Sequence, residues 1–129
     1  MNNVNDKEDE KMVKVAFFTN DLKNIDAHFG SGEQFAVYDV GAEGFSLSQV
    51  VPTGEERTEG RVELLQNEHV DIMYCIEIGP AAAAKVVNSR IFPIKYKEVV
   101  SIETELNKLQ TMIATNPPHF IKKILEARG

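Results

Sequence analysis

Val70–Val87, VDIMYCIEIGPAAAAKVV, reads as a strand, a turn and a helix. Val70–Ile76, apolar and aromatic except for Asp71, has the length of a strand. Gly79-Pro80 punctuates it, and a proline at a first helical position is favourable. Ala81–Val87 then supplies strong helix formers. After a turn at Asn88-Ser89, Ile91–Lys95 forms a short further strand. Strand, helix and strand in this order predict a β-α-β crossover, right-handed as such connections are.

Upstream, Val13–Thr19 (VKVAFFT) is a nearly continuous run of β-branched and aromatic residues, expected as a strand buried on both faces. Gln34–Val40 is a second strand. Gly41-Ala42-Glu43-Gly44 turns it into a third, Phe45–Val51, and a short glycine-containing connection predicts an antiparallel hairpin. Phe45-Ser46-Leu47-Ser48 alternates, as an edge strand with one wet face does. Pro52–Gly60 is polar and glycine-containing, expected as a loop, and Arg61–Glu68 is expected as a helix with Val62 and Leu65 inward. Downstream, Ser101 caps a helix whose Glu103 and Glu105 oppose the positive dipole end. Ile102, Leu106, Leu109 and Ile113 share its apolar face. Asn116 is expected to cap a last helix, with Pro117 and Pro118 in its first turn and Phe120, Ile121, Ile124 and Leu125 as its stripe.

The expected fold class is therefore α/β, a five-stranded mixed sheet with helices packed on it. The ribonuclease H-like arrangement, strand order 3-2-1-4-5, fits a meander followed by crossovers. A chain of 129 residues is one domain. Residues 1–11 are polar and charged and are expected as a flexible tail, leaving 12–129 as the domain.

Composition narrows the function. With 14 Lys+Arg against 20 Asp+Glu the formal charge is −6, a poor balance for general nucleic-acid binding. One local electropositive pocket for an anion remains open. A single cysteine excludes an internal disulfide or an all-cysteine metal site, and suits a reducing, cytoplasmic setting. No apolar run approaches the length of a membrane span, and the N-terminus lacks the pattern of a signal peptide.

Asn20–Glu33 is long for a connection in a compact domain, and long ordered loops are more often functional. In such sheets ligands collect beyond the carboxyl ends of the strands, near the point where strand order reverses. That rule brings Asp26, His28, Gly30, Ser31 and Gly32 beside the helix start at Gly79-Pro80. A helix N-terminus offers free N–H groups and a positive dipole end. The plainer reading of Ala81–Ala84 is tight helix packing. His28, in Asp26-Ala27-His28-Phe29-Gly30, can serve as a metal ligand or general base, with Asp26 fixing its tautomer. An ordinary surface histidine is the alternative. Cys75 is either a small core hydrophobe or a soft metal ligand near a strand end. Arg57 and Arg61 can neutralise an anionic ligand or sit on a solvated face. His69 and His119 lack ligand spacing. There is no Walker loop, nucleophile elbow or paired-histidine zinc motif. Two-metal nuclease chemistry needs a carboxylate within the first strand, and VKVAFFT has none.

Several of these segments together resemble a known family. They are Val13–Gly30 (VKVAFFTNDLKNIDAHFG), Phe35–Val40 (FAVYDV), Asp71–Val87, Ile91–Lys95 (IFPIK) and Asn116–Lys123 (NPPHFIKK). The chain resembles the dinitrogenase iron–molybdenum cofactor biosynthesis family, which includes NifY, NafY and the C-terminal part of NifB. The resemblance covers about residues 12–125. It implies a ribonuclease H-like carrier that is not an enzyme. The cargo it implies is an iron–sulfur precursor, the NifB cofactor, or the iron–molybdenum cofactor. The implied partners are NifB, the NifEN scaffold and apo-dinitrogenase. The family's cofactor-linked histidine matches His28, and its glycine turn matches Gly79. Ile78-Gly79-Pro80 lacks the second glycine of the family pattern, and Pro80 removes one backbone donor. His119 and Phe120 stand where the family has a third proline and a tryptophan. A docking module of the same pathway that binds no cluster is the alternative function.

Overall fold

A computed structural model describes residues 11–128. The expected tail lies outside the described residues except for Lys11, which is exposed. The strands are β1 (Val13–Phe18), β2 (Asn24–Ile25), β3 (Gln34–Gly41), β4 (Gly44–Pro52), β5 (Ile72–Cys75), β6 (Phe92–Lys95) and β7 (Val100–Ser101). The helices are α1 (Thr58–Asn67), α2 (Pro80–Asn88), α3 (Ile102–Thr115) and α4 (His119–Arg128). The main sheet has five strands in the order β4-β3-β1-β5-β6. β1 runs antiparallel to β3 and parallel to β5. β3 and β4 form the antiparallel hairpin, and β5 and β6 are the parallel pair joined through α2.

Side-chain alternation divides the core. Ala16 and Phe18 of β1, with Met73 and Cys75 of β5, face a layer holding Val62 and Leu65 of α1 and Val86 of α2. Val13, Val15 and Phe17, with Ile72 and Tyr74, face Ile102, Leu106 and Leu109 of α3 and Ile121 of α4. β1 is thus buried on both faces, as its unbroken apolar run requires. Phe17 stacks on Tyr74 with ring centroids 4.6 Å apart. Burying each such ring contributes about 1.5–3 kcal/mol.

The differences from the sequence reading are local. α1 begins at Thr58, a turn before the expected Arg61, because Glu59 favours the positive helix end and a glycine in a first turn costs little. α4 begins at His119. Pro118 precedes it and its carbonyl accepts from the Lys122 N–H, while Asn116 closes α3. The Ser101 cap forms as expected, its hydroxyl accepting from the Thr104 N–H at 3.2 Å. β5 spans Ile72–Cys75, shorter than Val70–Ile76. A small second sheet pairs β2 with β7 inside what read as irregular loop.

Candidate functional site

The site grows from the loop that leaves β1. Asp21 organises its first turn. Its carboxylate accepts from the Lys23 and Asn24 N–H groups, both at 2.8 Å, and from the Asn24 amide. These bonds, led by that from Lys23, hold the Asp21 carboxyl down at about 2. Asp26 then closes the loop across its mouth, accepting from the Asn20 N–H at 2.7 Å. β2 pairs with β7, and the chain returns to the main sheet.

There Ala27–Phe29 lies against the residues that follow β5. The Ile76 N–H donates to the Ala27 carbonyl at 3.0 Å, and the Phe29 N–H to the Glu77 carbonyl at 2.8 Å. Ala27 and Phe29 are buried, and His28 between them is exposed. Two buried anchors therefore present one imidazole outward. The next turn closes with the Gly32 N–H on the His28 carbonyl at 2.9 Å. A Cβ on Gly32 would sit 2.8 Å from that same carbonyl oxygen and 3.2 Å from the Phe18 ring. Only glycine fits there.

Gly30 and Gly79 differ from Gly32. A Cβ on either would meet no atom within 4 Å. Neither is required by packing, so both leave bare backbone under open space. Gly79 is the N-cap residue of α2, with no side-chain cap, and Pro80 holds the first helical position. A proline there replaces a donor that has no intrahelical partner in any case, which leaves the Ala81 and Ala82 N–H groups as the free donors of the helix start. The hydrogen bonds of Ala27 and Phe29 to Ile76 and Glu77 place His28 a few residues of chain from this helix start. Ser31 is exposed on the same turn.

Three of the candidate residues are engaged elsewhere in this structure. Asp26 does not hold the His28 tautomer; its carboxylate is engaged by Asn20, since closing a long loop needs a local acceptor. Arg61 is not a solvent-facing anion ligand. It is only 5% exposed and its guanidinium donates to the carbonyls of Glu56, Phe29 and Gly32. It braces the His28 turn from beneath, and desolvation, partly offset by Glu56, lowers its pKa from the ordinary value. Cys75 takes the place of a core hydrophobe, the first of its two sequence readings. It is fully buried in the core cluster that also holds Phe29, and burial, with the Glu77 charge, pushes its thiol up to about 12. A ligating thiol must be ionised and reachable. Arg57 stays exposed at the N-cap of α1, its carbonyl accepting from the Arg61 N–H.

The sequence reading missed three contributors. Buried Thr53 donates its hydroxyl to the Gly32 carbonyl at 2.7 Å, sharing that oxygen with Arg61. Glu77 and Lys95 form an ion pair at 3.6 Å beside the His28 segment. Threonine and charged residues at loop and strand ends carry no periodic signal, so only the folded chain brings them together. Among the described residues no group of three or more His, Cys, Asp or Glu is arranged to hold a metal ion. No helix among them is long and apolar enough to cross a membrane.

The chain is 34% identical to Protein NifX of Sinorhizobium fredii, over 91% of this chain and 80% of that protein. It is 30% identical to Protein NifY of Klebsiella pneumoniae over 84% of this chain, spanning 49% of that longer protein. The crystal structure of PH0822 is similar in fold alone. It superposes with a TM-score of 0.63 at 18% identity, covering 74% of this chain and 87% of that one. The family model for dinitrogenase iron-molybdenum cofactor proteins matches residues 11–112. On that match and these relatives, the chain belongs to the dinitrogenase iron–molybdenum cofactor family.

Proposed function

We propose that the protein is a non-catalytic carrier in nitrogenase cofactor assembly, with His28 contacting an iron–sulfur precursor such as the NifB cofactor, or the iron–molybdenum cofactor. The observation that carries this reading is the exposed His28, held between buried Ala27 and Phe29 and hydrogen-bonded through its neighbours to the turn before α2. The cargo class is a bulky polyanion. One imidazole gives a labile bond, and bare backbone at Gly30 and Gly79 lets a large ligand approach closely. The N–H groups at the start of α2 favour negative charge. Buried Arg61 has no carboxylate partner among the salt bridges of the described residues and adds positive potential under the turn. Exposed Arg57 is the further cation proposed to face the cargo. A single side-chain ligand suits reversible transfer better than a cage of thiolates. The ribonuclease H-like name for the fold, the cytoplasmic setting and the partners NifB, NifEN and apo-dinitrogenase belong to the same reading.

Anaerobic loading tests it. The protein is mixed with extracted NifB cofactor, freed of unbound cluster by gel filtration and assayed for iron and visible absorption, with His28→Ala alongside. The expected result is near-stoichiometric iron on the wild type and at least tenfold weaker retention by the variant, a change of about 1.4 kcal/mol or more. Equal retention by both would remove His28 from the site. No retention by either would favour the docking module, to be sought as a complex with NifEN.

A further inference from the structure

Lys95 closes β6, and its Cα partner in the parallel β5–β6 ladder is Cys75. Partnered residues in a ladder point to the same face of the sheet. Cys75 lies in the core layer that also holds Ala27 and Phe29. Lys95 therefore rises on the same face as the His28 segment, at the carboxyl ends of the strands. Its ammonium reaches Glu77, whose backbone carbonyl accepts the Phe29 N–H. The strand end is held firmly. The Tyr96 N–H donates to the Cys75 carbonyl at 3.0 Å, and the Tyr96 hydroxyl donates to the buried Glu105 carboxylate.

The ion pair itself is loose. Nitrogen and oxygen are 3.6 Å apart, and the side chains are 51% and 59% exposed. Such a pair contributes little to stability and exchanges partners readily. Its position, unlike its strength, is specific: the Glu77 backbone is hydrogen-bonded to the segment that carries His28, so one cation and one anion stand beside that segment.

Resting on the carrier reading above, we propose that Lys95 is a second contact for the anionic cluster and that Glu77 opposes it. On cargo arrival the Lys95 ammonium leaves Glu77 and pairs with the cluster, while the Glu77 carboxylate repels the same charge. The pair then sets how tightly cargo is held and how readily it is released. A purely structural ion pair would behave differently, because removing either partner would have the same effect.

The test uses the full chain and the NifB cofactor under anaerobic conditions, with affinity measured for wild type, Lys95→Ala, Lys95→Arg and Glu77→Gln. Lys95→Ala is expected to bind about tenfold more weakly. Lys95→Arg should restore most of the loss, because the charge is kept. Glu77→Gln should bind about threefold more tightly. Weakening by Lys95→Ala should shrink at high salt, where the lost contact is screened. Wild-type affinity in Lys95→Ala, or equal weakening by Lys95→Ala and Glu77→Gln, would overturn the inference while leaving the carrier intact. Failure of the wild type to bind the cofactor would overturn the carrier reading, and this inference with it.

Discussion

Gly32 shows what the His28 turn demands of individual residues. A Cβ there would press on the His28 carbonyl and the Phe18 ring. Gly32→Ala is expected to cost about 1–3 kcal/mol, as overpacking does, and to loosen cargo binding by shifting His28; urea unfolding and cluster retention measure the two effects separately. Cys75 makes the opposite case. With its thiol pushed up to about 12 and no solvent exposure, it should resist alkylation at pH 8 in the native protein and react only after unfolding. Cluster retention by Cys75→Ala should match wild type. Asp21 carries a pH dependence. Its folded pKa, about 2, lies below the ordinary 3.8, so its contribution to stability is present above pH 4 and is lost as pH falls towards 2. Asp21→Asn should therefore flatten the acid limb of a stability profile in that range. At this scale the sequence was partly legible. His28 stood out because a glycine-flanked loop histidine has few structural duties. Arg61 did not, because whether an arginine faces solvent or three backbone carbonyls depends on how a distant loop folds over it.

Elements hold the site by long-range ties. Arg61 in the first turn of α1 supports the β1–β3 loop through Phe29 and Gly32. Arg61→Met would leave buried carbonyls short of donors and is expected to cost about 3 kcal/mol, the range for bonds from a charged group, with a greater loss of loop protection in hydrogen exchange than of global protection. At the opposite end of the sheet, Arg128 in the last turn of α4 pairs with Asp71 at 2.8 Å and donates to the His69 carbonyl at 2.7 Å. Burial pushes the Asp71 carboxyl up against that pairing. The strands and α3 were legible from apolar periodicity and the Ser101 cap. β2 and β7 were not, since a two-residue strand has no period to read. α1 was placed late because Gly60 reads as a breaker until the turn around it is seen.

Over the whole molecule, a net charge of −6 would repel an anionic cargo at long range. The local groups decide, because charges beyond about 8–10 Å are screened at physiological salt. The proposed carrier is thus a two-faced sheet whose His28, Gly30, Gly79 and α2 start are the groups proposed to meet the cargo. The carrier proposal requires that the His28 imidazole touch the cluster. Pulsed electron paramagnetic resonance on protein with nitrogen-15 histidine, loaded with cofactor poised in a paramagnetic state, tests it most directly. The chain has three histidines, so a variant assigns the signal. Coupling from one imidazole nitrogen is expected, lost in His28→Ala and kept in His69→Ala and His119→Ala. Full loading with no histidine coupling, or coupling that survives in His28→Ala, would contradict it.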